Sequence, residues 1–503
     1  MVNQSIPKAE YSSPSIDTDH PKALETGEYP KNELILVDWE GPDDMENPKN
    51  WTFKEKWILT VIVSTFTFIS PVSSSMIAPA SDKVALDFGT NNGVVIAMIT
   101  SVFVLAYALG PLVLGPLSEI YGRSRVLQGA NFFYLVWNIA CGFSQNTGQL
   151  IAFRFLAGLG GSAPFAVGAG VLGDCWKPEE RGQAIAVYSF APILGPVVGP
   201  VIGAWIADRT TWRWVFWSTS IADGVVQILG FIFLRETYAP LLLERKSLAV
   251  KQSLGISSDY QPHIKTIYQI SDKNWQAFFA KSIVRPFTLF VCEPIIQVLG
   301  IYMAFVYGLL YLMLTSIPSI FRRVYEEPMG VAGFHYFALG IGSTVASLAN
   351  ARLSDRTYIH FKEKHGGVGK PEFRLVSMVL GSVLFPLGLF IAGWCAEQHI
   401  HWIVTDLGIL FIGAGIILIF QSVQAYMIDS FTLYAASAMA AVVCLRSLTG
   451  FGFPLFAPAM YRALGYGKGD TILATFGILI GCPAPWLFWH YGERLRQRSR
   501  YTK

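Results

Sequence analysis

Long apolar runs alternate with short polar segments along the chain from Trp57 onward. A run of about 20 apolar residues is long enough to cross the hydrocarbon core of a bilayer as an α-helix. Runs of this kind predict twelve spans, near residues 57–79, 94–114, 126–144, 149–172, 184–206, 214–234, 289–315, 332–351, 375–394, 402–426, 434–459 and 471–490. The pattern indicates an all-α membrane protein with twelve transmembrane helices.

Polar segments divide the chain further. Residues 1–50 are rich in Pro, Ser, Asp, Glu and Lys and lack apolar periodicity, which predicts a disordered N-terminal arm. A polar stretch at 235–287 separates the first six spans from the last six. We therefore expect a six-helix bundle at 51–234, a central loop at 235–287, a second six-helix bundle at 288–491 and a basic tail at 492–503.

A short internal repeat supports the division into two halves. Leu117-Ser118-Glu119 follows the second span, and Leu353-Ser354-Asp355 follows the second span of the other half. An arginine comes shortly after each copy, Arg123 in the first half and Arg356 in the second. Two parallel repeats around a central cleft are typical of one large class of secondary transporters.

The basic residues predict the orientation of the chain. With the N-terminus in the cytosol, about 29 Lys and Arg residues fall on the cytosolic side of the membrane and about 7 on the opposite side. Cytosolic loops carry the excess of basic residues in membrane proteins. We therefore expect both termini, together with the arm, the central loop and the tail, to be cytosolic.

Composition excludes several classes of function. Charged residues make up 15% of the chain, whereas a typical soluble domain carries about 25%. A net charge of +3 is too small to indicate nucleic-acid binding. The six cysteines lie singly and without metal-binding or redox spacing, so we predict no metal site. The sequence has no phosphate-binding Gly-rich loop and no hydrolase motif, which argues against an enzyme.

The fifth span contains an unusual set of prolines and glycines. Pro192, Pro196 and Pro200 are spaced four residues apart, and Gly195 and Gly199 lie beside them. Each proline removes a backbone hydrogen bond, while the glycines allow another helix to approach closely. The sequence predicts a kinked and tightly packed hinge; the alternative is an ordinary packing helix that is rich in proline.

The loop after the second span combines glycines with charges at Gly115, Glu119, Gly122, Arg123 and Arg125. Glycine permits a tight turn, and opposite charges can pair across helix ends. One interpretation is a gate that latches the cytosolic ends of the two halves together. The other is a solvated loop with ordinary positive-inside residues.

Three ionisable residues in or near the spans are candidates for proton coupling: Arg154, Asp223 and Glu293. A charge in the hydrocarbon region is costly, so it faces the interior of the bundle or reaches the interface. Arg154 in span four is either functional or snorkelling toward the outer end. Asp223 in span six is either a proton carrier or a structural hydrogen-bonding residue. Glu293 precedes Pro294, which we expect to prevent a regular start of span seven.

Polar and aromatic residues of the second half are candidates for lining a substrate cavity. Aromatic side chains recur along span seven at helical spacing, a pattern that also fits helix packing. Amide side chains in spans seven and ten can orient a ligand, and an arginine lies within span eleven. The candidates are Gln297, Tyr302, Tyr307, Gln421, Gln424 and Arg446.

Together, the loop 115–125, the segment around Arg154 and the Gly–Pro segment 195–200 resemble the three signature motifs of the major facilitator superfamily. Segments 38–44 and 47–51 before span one, 236–240 after span six and 446–456 in span eleven are similar to its fungal twelve-span drug–proton antiporter branch. Departures are Glu119 where the superfamily usually has aspartate, Ser124 between the basic residues, and no glycine before Arg356.

The resemblance implies a proton-coupled exporter of small, largely apolar organic compounds such as drugs, toxins or secondary metabolites. Two bundles would rock around a central cavity, with no cofactor and with only the substrate, protons and lipid as partners. It also implies a functional monomer in the plasma membrane rather than the vacuolar membrane. The alternatives are an uptake or facilitative carrier for nutrients or polyamines, and a membrane sensor that does not transport.

Overall fold

The computed structural model describes residues 34–177, 180–253, 263–266, 275–367, 369–431 and 435–499. Helices make up nearly all of this part of the chain. They are α1 Phe53–Ser75, α2 Ser81–Asp87, α3 Gly93–Tyr121, α4 Arg123–Gly142, α5 Thr147–Gly161, α6 Ala163–Cys175, α7 Arg181–Arg209, α8 Arg213–Phe233, α9 Ala239–Ser253, α10 Trp275–Cys292, α11 Pro294–Arg323, α12 Met329–Ala332, α13 Tyr336–Lys364, α14 Val376–Glu397, α15 Trp402–Phe431, α16 Ala435–Gly481 and α17 Pro483–Arg498.

Polar residues mark several helix starts. Thr52 and Glu55 form a capping box at the start of α1, each side chain bonding to the backbone N–H of the other residue. Asn92 caps α3, and Asn146 caps α5. Such caps satisfy the N–H groups that have no partner inside the helix.

Ten helical stretches in the described part of the chain are long and apolar enough to cross a membrane. The last of them, 437–498, is 62 residues long and bends at Gly465, where φ is +79°. The 20-residue helix α4 is a further helix that overlaps a predicted span. The all-α membrane fold is confirmed, whereas the count of twelve crossings stays a prediction.

Helix α16 is broken by a kink at Gly465, where the backbone is not helical, and this kink lies between the predicted spans 434–459 and 471–490. Two features near the helix starts differ from the sequence predictions. Helix α10 begins at Trp275, inside the predicted central loop. Pro294 does not disturb the start of α11 but occupies its first turn. Its missing N–H costs nothing there, since that group has no helical partner.

The arm is structured over the part that the structure describes. Residues 34–37 form strand β1, which pairs in parallel with strand β2, His263–Thr266, of the central loop. The Asn50 amide then donates to the carbonyls of Pro42 and Asp44. Disorder is thus the wrong prediction for residues 34–50, since backbone pairing with a distant segment is invisible in their composition; residues 1–33 lie outside the described part.

The two halves meet most extensively along the helix pairs α7 with α13 and α3 with α16. We call the end of the bundle that carries Phe53 and Arg498 the terminal face, and the opposite end the far face. On the far face, Arg322 at the end of α11 forms an ion pair of 3.1 Å with Asp82 of α2. Midway along the bundle, the Ser74 and Tyr311 hydroxyls are 3.1 Å apart. Both contacts join the two halves.

Candidate transport site

Arg154 is fully buried and serves as a clamp inside the first half. Its guanidinium donates to the carbonyls of Ser73 and Ser74 at 2.9 Å and to those of Ile99 and Thr100 at 3.0 and 3.2 Å. Ser73 and Ser74 belong to the last turn of α1, whose carbonyls have no helical partner. A positive charge at this C-terminus also complements the helix dipole. Arg154 faces the interior, and snorkelling is excluded.

Asp223 lies in a polar seam between α4 and α8. The Asn131 amide donates to the two Asp223 carboxylate oxygens at 3.1 and 3.0 Å and to Gln227 at 2.7 Å. One NH₂ group cannot satisfy three acceptors fully, because it carries two hydrogens. Asp223 is completely buried, so the seam holds a carboxyl group whose hydrogen-bond donor, among the described residues, is the Asn131 amide.

Helix α7 carries the predicted hinge and lies between the two halves. A Cβ added at Gly195 would come within 2.7 Å of the Pro71 ring. At Gly199 it would come within 2.7 Å of the Ser75 hydroxyl. The glycine face therefore packs on α1, in the same half. The face toward α13 presents Val197, whose side chain leaves no room for a Cβ at Gly340.

The loop after α3 is held by charges of the first half. Arg123 forms an ion pair of 3.4 Å with Asp174 at the end of α6 and donates to Ser118 at 2.6 Å. Its backbone N–H donates to Glu236 at 2.8 Å. Gly122 has a φ of +99°, and a Cβ there would collide with the Glu236 carboxylate. The described contacts of Arg123 thus join α3 and α6 of the first half to the start of the central loop.

The other two charged residues of this loop, Glu119 and Arg125, take part in no ion pair within the described part of the chain. A Cβ added at Gly115 would meet nothing within 4 Å. The latch between the two halves stays a prediction.

The second half repeats the same arrangement. Arg374, at the start of the corresponding helix, forms an ion pair of 3.2 Å with Asp429 near the end of α15, again through Nε. It also donates to Ser354, the serine of the second repeat. The internal repeat is therefore real in three dimensions. The residue equivalent to Arg123 is Arg374 and not Arg356. Arg123 and Arg374 each lie where the next helix begins, whereas Arg356 matches only by its distance from the repeated tripeptide.

A cluster of aromatic side chains and one arginine lies midway along the bundle, where the halves meet. We call it the central cluster: Tyr107, Phe165, Tyr307, Tyr311, Phe420 and Arg446. The rings of Tyr107 and Phe165, from the first half, are 5.2 Å apart. The ring of Tyr307 lies 5.1 Å from Tyr311 and 5.9 Å from Phe420. The Arg446 guanidinium lies 4.9 Å above the Tyr307 ring.

The halves are in direct contact at the central cluster. A Cβ added at Gly450 of α16 would meet both Tyr307 and Val104 of α3. The hydroxyls of Ser74 and Tyr311 also meet across the halves, 3.1 Å apart. Tyr307, a predicted cavity residue that Arg446 contacts, thus lies beside residues of the first half.

The other predicted cavity residues lie elsewhere. Tyr302 faces away from the cluster and bonds to Ser382 on α14 at 3.1 Å. Gln421 joins Asn350 and Ser347 inside the second half, at 2.8 and 2.6 Å. Gln297 donates to a backbone carbonyl near the start of α11.

Gln424 is half-buried on α15. Glu293, a predicted proton-coupling residue, accepts from Ser499 at 2.7 Å on the terminal face.

Two further buried titratable groups are not among the predicted site residues. His335 has a carboxylate at each ring nitrogen, Glu327 at 2.7 Å and Asp406 at 2.8 Å, and its ring stacks on Phe321. Only the imidazolium form donates from both nitrogens. Asp470 accepts from Tyr461 at 2.6 Å, and its second oxygen is buried without a hydrogen-bond donor in the part of the chain that the structure describes. No local motif marks either group, since the partners are brought in by folding.

Comparison with known proteins identifies the family. The family model of the Major Facilitator Superfamily matches residues 63–454. The chain belongs to the major facilitator superfamily. This confirms the family resemblance, and the protein is a multi-pass membrane transporter rather than an enzyme.

Its similar relatives include fungal transporters. The efflux pump vrtL of Penicillium aethiopicum is 47% identical over 93% of this chain and 91% of its own length. The efflux pump radE of Floropilus chiversii is 42% identical over 93% of this chain and 86% of its own length. The xylose transporter XylE from E. coli, in a partially occluded inward open conformation, matches the fold with a TM-score of 0.65 at 15% identity, over 87% of this chain and 98% of that one.

Proposed function

We propose that this major facilitator transporter exports small, largely apolar organic compounds in exchange for protons, by alternating access. The observation that carries the proposal is the central cluster, an aromatic site built from both halves midway along the bundle. Export, rather than uptake, is supported by the names of its similar relatives, two of which are efflux pumps. The Gly–Pro segment of α7 supports it further.

Asp223 is the proposed proton carrier. A carboxylate that is buried in the membrane with an amide as its partner is costly while it is charged. Uptake of a proton removes that charge. Asn138 extends the contacts between α4 and α8, because its amide donates to Thr219 and Ser220 at 3.0 and 2.8 Å. Ser73 links it to Arg154: the Ser73 hydroxyl donates to the Asn138 amide oxygen, and the Ser73 carbonyl accepts from the Arg154 guanidinium. Arg154 is the proposed modulator of this site.

In this mechanism α7 is the hinge, and the two bundles move as units about it. The Arg123–Asp174 and Arg374–Asp429 pairs keep the terminal end of each bundle rigid. We place the protein in the plasma membrane, with both termini in the cytosol, and expect it to work as a monomer.

The test is efflux from cells with and without the protein. Cells are loaded with a panel of apolar drugs and polyketides, and efflux is followed before and after a protonophore collapses the proton gradient. Faster efflux that stops on collapse is the expected result. Asp223→Asn abolishes the gradient-driven component, whereas Asp208→Asn on the exposed far face leaves it unchanged. Accumulation of the loaded compound in place of efflux, or efflux that continues unchanged after the proton gradient has collapsed, overturns the proposal.

A further inference from the structure

Two arginines lie inside the helical bundle, and their surroundings differ. Arg154 is fully buried and donates to four backbone carbonyls. Arg446 is only half-buried, and its Nε is buried without a hydrogen-bond acceptor in the described part of the chain. No carboxylate among the described residues pairs with it. The Arg154 guanidinium therefore has four hydrogen-bond acceptors, whereas the Nε of Arg446 has none among the described residues.

Arg446 is also far from either end of its helix. It is the twelfth residue of α16, about 16 Å along the axis from the start. A charge at this depth needs water or a partner, because an unpaired donor in an apolar site keeps its full desolvation cost. The contact that the structure gives Arg446 is the face of the Tyr307 ring. That contact supplies no acceptor to the guanidinium N–H groups, so an anion that enters between the halves would be a partner for them.

The neighbours of Arg446 add the rest of a binding site. Tyr307 and Phe420 stack at 28° and present aromatic faces. The Tyr311 and Tyr107 hydroxyls pair with serine hydroxyls of α1 and add polar groups to the wall of the site. Arginine pairs with a carboxylate through two parallel hydrogen bonds, which gives orientation as well as affinity.

We infer that the central cluster binds an aromatic organic acid, with Arg446 holding its carboxylate or phenolate and the rings of Tyr307 and Phe420 packing on its aromatic body. This inference rests on the proposed function for the direction of transport, but not for binding. Arg446 is then the residue that selects anionic over neutral aromatic cargo. Because Gly450 brings the same part of α16 against Val104, the anion sits where the two halves touch.

The test measures binding to the purified full-length protein in detergent, where no proton gradient exists. The probes are the fluorescent acid 9-anthracenecarboxylate and its neutral amide, which share the ring system and differ in charge. Wild type binds the acid at least about tenfold more tightly than the amide. Arg446→Gln removes that preference and leaves amide binding unchanged, while Arg446→Lys keeps a smaller preference.

Arg462→Gln is the matched control, because Arg462 lies on the same helix with an exposed side chain and bonds to the Pro458 carbonyl. It retains the wild-type preference. Equal binding of acid and amide by wild type, or no binding of either, overturns the inference. So does an equal loss of both probes in Arg446→Gln, which indicates a structural role. Failure of gradient-driven efflux with this preference intact overturns the proposed function alone.

Discussion

Arg154 shows how one residue can join three helices. Its guanidinium reaches carbonyls of both α1 and α3 from α5, and its cationic carbon lies 4.9 Å above the Phe103 ring. Each hydrogen bond to a charged group contributes about 1.5–3 kcal/mol. The residue therefore fixes the end of α1, close to the α7 contact, whatever further part it takes in proton transfer.

We expect Arg154→Met to lower the free energy of unfolding by about 3 kcal/mol or more, since four carbonyls lose a charged donor inside the bundle. Arg154→Lys, with fewer directed donors, lowers it less. Thermal unfolding of the purified protein, followed by tryptophan fluorescence, measures the change. Arg462→Met on the exposed surface is the control. An unchanged midpoint in Arg154→Met contradicts the clamp role.

At the scale of elements, α7 combines two different faces on one helix. Its glycines bring it against α1, so these two helices move together. Its other face meets α13 through larger side chains such as Val197. A helix that is fixed to one half and only touches the other is suited to be the surface along which the halves slide.

Gly199→Val tests the glycine face. The new side chain meets the Ser75 hydroxyl and the Val72 carbonyl at 2.7 Å, and overpacking of this kind costs about 1–3 kcal/mol. We expect a lower unfolding midpoint together with slower efflux. Gly182→Val lies on the same helix with open space around it and is the matched control. Equal effects of the two substitutions would show that helix propensity, and not the contact with α1, is responsible.

The sequence predicts where the helices lie, but it does not predict which side chains contact one another. The twelve predicted spans all overlap helices, because a lipid-facing helix must be apolar over its whole length. The glycine spacing in α7 also predicted close packing correctly. Tyr302 is a predicted cavity residue because aromatic side chains recur along span seven, and Gln421 because an amide can orient a ligand, yet both contact residues within the second half. Which face of a helix looks inward depends on its neighbours, and in an apolar span periodicity does not reveal it.

At the scale of the whole molecule, the halves are joined on the far face by the Arg322–Asp82 pair. If transport requires the halves to separate there, a covalent bridge at this point stops it. We expect a short bifunctional thiol crosslinker to block efflux by the double variant Asp82→Cys, Arg322→Cys. The background carries serine at the exposed Cys292 and Cys482. Each single cysteine variant, treated in the same way, retains efflux; persistent efflux in the crosslinked double variant would exclude separation on this face.

The arm is fastened to the central region by Lys246 of α9, whose ammonium lies 3.0 Å from Glu40 and 3.3 Å from Asp44. Burial raises the pKa of Asp44, but the N–H groups of Glu40 and Glu46 and the Lys246 ammonium outweigh it and hold that pKa below its ordinary value of 3.8. Burial lowers the pKa of Lys246, yet the carboxylates of Glu40 and Asp44 raise it overall above 10.5.

The signs of these shifts define a pH window. The contribution of Asp44 to the stability of the folded arm is complete above pH 3.8 and is lost as the pH falls through the lower pKa of the folded state. The contribution of Lys246 is complete below pH 10.5 and is lost as the pH rises through the higher pKa of the folded state. We expect the amide hydrogens of 38–50 to keep constant protection from pH 5 to pH 9 in exchange experiments corrected for intrinsic rates. Lys246→Ala removes this protection at neutral pH, whereas Lys54→Ala, on the exposed surface, does not. Equal protection in both variants contradicts the contact.

That contact also has a consequence for how the protein is made. Lys246 and Asp44 are 202 residues apart along the chain, and strand β1 needs the still later strand β2 as its partner. During synthesis the arm leaves the ribosome first but finds its partners only after the whole first bundle has followed. Closure of the arm therefore cannot be complete until the chain has been made as far as strand β2, after the whole first half.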